Sequence, residues 1–131
     1  MYMLDTNIVS DALRNPQGSA AMRIRQIAND DISISIIVAG ELRFGAKKRG
    51  SDKITALVEG FLARTQVVPF ESDADSHYAD IRVALENTGT PISANDMLIA
   101  AHALALGATL VTDNEREFAR IKSLKVENWL R

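Results

Sequence analysis

A chain of 131 residues with 47% hydrophobic and 24% charged side chains has the length for one domain and the composition of a packed globular protein, which excludes disordered, collagen-like and fibrous classes. The absence of cysteine removes disulfide frameworks, thiolate metal sites and cysteine nucleophiles. Fifteen basic against seventeen acidic residues give a formal charge of −2, so any contact with nucleic acid has to come from local patches and not from bulk charge.

In chain order, four apolar or aromatic residues stop at Asp5-Thr6-Asn7, residue types that end strands and begin helices. A helix is predicted from Thr6 to Arg14, closed by Asn15 and Pro16 because proline disfavours helix in the residue before it, and another from about Ser19 to Ala28. Ile32, Ile34 and Ile36 alternate with Ser33 and Ser35, the period of a strand, and Val38 to Arg49 returns to helical spacing. Ile54, Leu57, Val58, Phe61 and Leu62 form the apolar stripe of an amphipathic helix. Gln66 to Phe70 reads as a third strand, with Pro69 marking an edge or an end.

Ser72 and Asp75 open a helix whose buried stripe is Tyr78, Ile81 and Leu85 and which Gly89 stops. Asn95 to Leu106 is apolar almost all round, the signature of a buried helix, and Gly107 is its natural cap. Thr109 to Thr112 is a fourth strand, Asn114 to Ile121 a short helix and Leu124 to Trp129 a last strand. Strands alternating with helices imply a three-layer α/β sandwich around a mainly parallel sheet. The longest apolar stretch falls short of the roughly 20 residues that span a bilayer, and the amino terminus meets Asp5 without a basic lead, unlike a signal peptide. The expected setting is the cytoplasm, with no membrane.

In such folds ligands bind beyond the carboxyl ends of the strands. Asp5 ends the first strand, Asp113 ends the fourth and Asp96 opens the buried helix, so three carboxylates from distant positions can meet on one rim. Glu41 interrupts an apolar helical stripe, where a carboxylate is costly unless paired, protonated or bound to metal, and Gly45 one turn on leaves room for a ligand or a neighbouring chain. Each acid also has a structural reading: Asp5 and Asp113 as helix caps, Asp96 as part of a capping box begun by Ser93, Glu41 as a residue reaching solvent or a basic partner. Capping does not account for Glu41.

Four hard carboxylates without a histidine pair or a serine triad suit magnesium or manganese acting on phosphates. His77 and His102 read as structural or surface residues, His102 lying about 240° around an ideal helix from Asp96. Two basic clusters, Arg43-Lys47-Lys48-Arg49 and Arg14-Arg23-Arg25, are either solvated surface or local nucleic-acid contacts. An aspartyl-phosphate mechanism on Asp5 is disfavoured because Asn7 stands where a second carboxylate is usual. A module that binds a partner or RNA without turnover is the alternative from another class, and the net acidity motivates it.

Four motifs carry a resemblance over the whole chain: Met3-Leu4-Asp5-Thr6-Asn7-Ile8, a helical Glu41-Leu42 followed by Gly45, Asn95-Asp96-Met97-Leu98-Ile99-Ala100-Ala101-His102, and Leu110-Val111-Thr112-Asp113-Asn114 with Glu117-Phe118 after it. Together they resemble the PIN domain of VapC toxins from bacterial toxin-antitoxin pairs, and Val126 to Trp129 is similar to that family's ending. The resemblance implies an endoribonuclease in which Asp5, Glu41, Asp96 and Asp113 form an acidic Mg2+ or Mn2+ site, the fourth acid being the one that varies in the family. It implies Thr6, Asn7, Thr112 and Asn114 as hydrogen bonders around those acids. It further implies a homodimer, a cognate VapB-like antitoxin whose carboxyl-terminal segment covers the active site, and DNA contact only through that partner. The substrates implied are structured RNAs, in this branch the anticodon loop of initiator tRNA.

Overall fold

The computed structural model describes residues 1–131. Its elements are β1 (Tyr2–Leu4), α1 (Thr6–Arg14), α2 (Ser19–Gln26), a 3-10 turn at Asn29–Asp31, β2 (Ile32–Ser35), α3 (Ile36–Arg49), α4 (Asp52–Arg64), β3 (Gln66–Val68), α5 (Ala74–Asn87), α6 (Ala94–Leu106), β4 (Thr109–Val111), α7 (Glu115–Phe118) and β5 (Val126–Glu127). The five strands form one sheet in the order β3-β2-β1-β4-β5, and every pairing is parallel. The α/β sandwich expected from the alternation of elements is therefore present.

The chain lays down β1, β2 and β3 in one direction and then returns to the other side of β1 to add β4 and β5. Strand order thus reverses between β1 and β4, and the crevice beyond their carboxyl ends is where a doubly covered parallel sheet offers a ligand site. Tyr2 pairs with Thr109 and Leu4 with Val111, so Asp5 and Thr112 leave the sheet side by side.

Helices cover both faces, and 29 buried residues form a continuous apolar cluster that includes Met3, Leu4, Ile34, Ile99, Leu110 and Val111. Each such side chain contributes about 1.5–3 kcal/mol when fully buried. Two-sided coverage buries Ser33 and Ser35 as completely as Ile34 between them. Their hydroxyls are engaged: Ser33 Oγ donates to the Tyr2 carbonyl at 3.3 Å, and Ser35 Oγ accepts from Ile37 N–H at 3.1 Å.

That last bond explains a departure from the sequence reading. Ile36 continues the strand alternation, yet it is the first residue of α3, because Ser35 caps the helix and supplies an acceptor for an amide that has none within the first turn. Proline lacks an N–H, and β3 stops at Val68 before Pro69 instead of reaching Phe70. α2 ends at Gln26, and β5 is only two residues long. Gly107 closes α6 in the left-handed region at φ 64°, as its position predicts.

Candidate active site

Asp5 follows β1 and caps α1. Its Oδ1 accepts from Thr6 N–H at 2.8 Å, while Oδ2 accepts from Thr112 Oγ1 at 2.8 Å. The capping reading is thus correct for one oxygen and leaves the other to the β4 side. Asp5 N–H also extends the β1–β4 pairing to the Val111 carbonyl at 2.8 Å. Only 4% of Asp5 is exposed, and burial pushes its carboxyl above the usual range. The hydrogen bonds from Thr112 and Thr6 oppose that rise; repulsion from Glu41 and Glu117 adds to it.

Thr112 is the hub behind this acid. Besides donating to Asp5, its hydroxyl accepts from Asn114 N–H at 3.0 Å and meets Asn7 Nδ2 at 3.4 Å. Asn7 Oδ1 in turn accepts from Asp113 N–H at 3.0 Å. Thr6, Asn7, Thr112 and Asn114 therefore surround the acids as hydrogen bonders.

Glu41 comes from the second turn of α3. It is half-buried, Oε1 accepts from Thr6 Oγ1 and Oε2 accepts from Asn95 Nδ2 at 3.1 Å. It has no basic partner, so neither a salt bridge nor free exposure describes it. Asn95, on the first turn of α6, was legible in the sequence only as part of a motif, not as the partner of Glu41.

Asp96 lies one residue further along α6. Ser93 Oγ accepts its N–H at 3.2 Å, half of the capping box. In the complete box the Asp96 carboxylate would take Ser93 N–H, but that donor goes to Glu117 Oε1 at 3.4 Å, and Asp96 lines the pocket. Burial, with repulsion from Asp5 and Glu117, pushes Asp96 up to about 7. Glu117 shares a hydrogen bond with it and is held below its ordinary value, chiefly by Asn114 Nδ2 at 2.6 Å.

Asp113 stands apart. Its backbone is tied to Asn7, but its exposed carboxylate accepts from Asn128 Nδ2 at 2.9 Å. It borders a neighbouring groove and not the pocket that Asp5, Glu41 and Asp96 line together. The fourth carboxylate at the cluster is Glu117, which sequence reasoning did not single out. The available signal was its position three residues after Asn114, one turn into a short helix.

The acid pocket has a volume of about 790 Å³ and is lined by Asp5, Thr6, Asn7, Glu41, Asn95, Asp96 and Asn114, with Ile36, Ile37, Gly40 and Phe44 on its apolar side. No basic side chain lines it. Nowhere in the chain do three acidic or histidine side chains close on a single point as a ready cage. The acids ring an opening instead, which suits a small hard cation that binds through one or two carboxylates and keeps waters or substrate oxygens as its other ligands. The oxygen-only donor set and the raised Asp5 and Asp96 carboxyls fit such an ion.

An adjoining groove of about 730 Å³ shares Thr6, Asn7 and Glu41 with the pocket and carries Arg14, Arg49 and Lys53 along its sides. The two sequence clusters divide accordingly. Arg43 is taken by Glu59 in a two-pronged pair at 2.9 Å, Arg23 lies over the Trp129 ring at 5.4 Å, and Arg25 donates to the Pro16 carbonyl at 2.9 Å. His102 is buried and takes no part in the pocket.

A parallel sheet that delivers carboxylates to the rim between its central strands, each steadied by hydroxyl and amide donors, defines an α/β protein with an acidic ligand site at the point where strand order reverses. The chain matches the PIN domain family over residues 2–124 and belongs to it, among the VapC ribonucleases. It is 40% identical over 131 residues to "Ribonuclease VapC2" of Rickettsia felis, with 98% of each chain covered. It is 35% identical over 129 residues to "tRNA(fMet)-specific endonuclease VapC" of Shigella flexneri, with 98% of this chain and 97% of that one covered. In structure it is similar to the VapBC2 complex of Rickettsia felis bound to a promoter DNA fragment, with a TM-score of 0.89, 38% identity and 98% coverage of both chains. No helix is long and apolar enough to cross a membrane.

Proposed function

We propose that this chain is a divalent-cation-dependent endoribonuclease toxin of the cytoplasm, acting on structured RNA and silenced by a small antitoxin. The observation that carries the reading is the gathering of Asp5, Glu41 and Asp96 on one open pocket, backed by Glu117, with neutral donors and no basic side chain among the lining residues. Asp5, Glu41 and Asp96 would hold Mg2+ or Mn2+, and Glu117 takes the fourth place that the sequence motif gave to Asp113. Held there, the ion would lower the pKa of a water and offset charge on the scissile phosphate.

The chain's own contribution is placement. Thr112 and the Thr6 amide fix both oxygens of Asp5, and Thr6 and Asn95 fix both oxygens of Glu41. Asn114 holds Glu117 beside Asp96, where a bound cation would offset the repulsion between the two carboxylates. Arg14, Arg49 and Lys53, none of them in an ion pair, supply phosphate contacts along the groove that continues from the pocket.

The Shigella flexneri relative is named for tRNA(fMet), and the substrate we infer is the anticodon loop of initiator tRNA. The Rickettsia felis structure holds its toxin together with an antitoxin on DNA; by extension, DNA reaches this chain through the partner. The test is incubation of purified, antitoxin-free protein with initiator tRNA and with total RNA, in magnesium, in manganese and in chelator. Discrete fragments that vanish with chelator are expected; cleavage that continues in chelator contradicts the reading.

A further inference from the structure

His102 is the one buried titratable group that the acid pocket leaves out. It is 1% exposed and sits in the middle of α6, seven residues beyond Asn95. Seven residues return an α-helix to nearly the same face, so Asn95, the buried Ile99 and His102 form one seam of α6. Both polar ends of that seam engage the α3 region. Asn95 Nδ2 holds Glu41 at 3.1 Å, and His102 Nδ1 lies 2.7 Å from Ser35 Oγ, the cap of α3.

The tautomer follows from the neighbours. Ser35 Oγ already accepts from Ile37 N–H, and its single O–H is free to donate. His102 Nε2 is buried without a hydrogen-bond partner, and the Pro69 carbonyl lies near the ring. A ring proton on Nε2 turns a donor toward that carbonyl, whereas a proton on Nδ1 would set the Nε2 lone pair against a second acceptor. Burial also holds the ring neutral. Ser35 O–H therefore donates to Nδ1, and the Phe70 ring, edge-on at 5.3 Å between centroids, closes the remaining side.

We propose that His102 is a positioning residue for the ribonuclease site: through Ser35 it fixes the first turn of α3 against α6, and so sets where Glu41 stands relative to Asp96 on its own helix. The inference rests on the acid pocket being the catalytic site, and two of its tests do not depend on activity.

His102→Leu keeps the volume and removes both nitrogens, while His102→Asn returns an oxygen acceptor near the place of Nδ1. In a folded His102→Leu protein, kcat on RNA should fall roughly ten- to a hundredfold at unchanged KM, with most of it restored in His102→Asn. Wild-type kcat in folded His102→Leu overturns the proposal, as does an equal loss in both variants. Should His102→Leu fail to fold, Ser35→Ala, which only removes the hydroxyl, must show the same kcat-selective loss, and wild-type kcat there overturns it equally. Independently of any cleavage, nitrogen NMR of the wild-type ring should show the Nε2–H tautomer, and Ile37 amide exchange should quicken in His102→Asn less than in Ser35→Ala. An Nδ1 that shows no hydrogen bond to Ser35, or Ile37 exchange unchanged by Ser35→Ala, rejects the link even if the chain cuts no RNA.

Discussion

The Asp96 and Glu117 carboxyl groups lie close enough to couple, although one opens α6 and the other lies on α7. Burial and repulsion raise Asp96 to about 7, while Asn114 draws Glu117 down. The cation-free protein thus keeps a proton on this pair that its unfolded chain would have released well below neutrality.

The sign of the resulting pH dependence is fixed by linkage. Between the unfolded value of 3.8 and the folded value near 7, the folded state binds the extra proton, so stability falls as pH rises through that window and levels off above it. Asp96→Asn removes the repulsion and should stabilise the cation-free protein at pH 7.5, by on the order of 1 kcal/mol once solvent screening of this half-exposed group is allowed for. Urea denaturation of both proteins at pH 5 and 7.5 checks this. A stabilisation larger at pH 5 than at 7.5 would contradict the assignment.

Replacing Glu117 and Asp113 separates the observed geometry from the sequence motif. Glu117→Gln should lower kcat by roughly a hundredfold or more, because it removes the fourth carboxylate beside Asp96. Asp113→Asn should cost only a few-fold, since the Asp113 carboxylate is bound to Asn128 outside the acid pocket. Steady-state cleavage with both variants at saturating cation measures the contrast, and a larger loss for Asp113→Asn would return the fourth place to that residue.

Thr112→Val preserves shape and deletes one hydroxyl. It leaves buried Asp5 Oδ2 without its 2.8 Å donor and Asn114 N–H without its acceptor, a loss of about 1–3 kcal/mol in denaturant unfolding. Asp5 should also titrate higher, as the largest hydrogen bond lowering its pKa is gone. An unchanged unfolding midpoint would show that the hydroxyl network is not what holds the pocket.

Arg14, Arg49 and Lys53 line the groove next to the acids. If each neutralises one RNA phosphate, the dependence of log affinity on log salt loses about 0.7 for every cation replaced by glutamine. RNA binding by an Asp96→Asn protein carrying these changes, measured across salt concentrations, gives the slope directly; an unaltered slope in the triple variant removes the groove from the RNA path.

How far the sequence foretold this arrangement depends on the range of the interactions involved. Strand periods, turn residues and glycine caps act locally, and they located all five strands and the buried α6. Asp5 and Asp96 were readable because a strand end and a helix start are themselves local features. Glu41 was readable as a misfit on an apolar stripe, though not its partners Thr6 and Asn95, which lie 35 and 54 residues away.

Asp113 shows where local signals stop. Its place at the end of β4 is right, but Asn128, fifteen residues on, captures the carboxylate. Glu117 was passed over because an acid on a four-residue helix looks like solvated surface until Asn114 and Ser93 are seen to hold it. Ser35 and Ile36 continued a strand pattern that a side-chain cap interrupts.

The most direct test of the acid pocket as a cation-dependent ribonuclease centre is cleavage of total cellular RNA by the purified chain and by its Asp96→Asn variant, each shown to be folded, with magnesium and with manganese. Cation-dependent fragments from the wild-type protein and none from the variant are predicted; equal cleavage by the two proteins would place the chemistry somewhere other than this pocket.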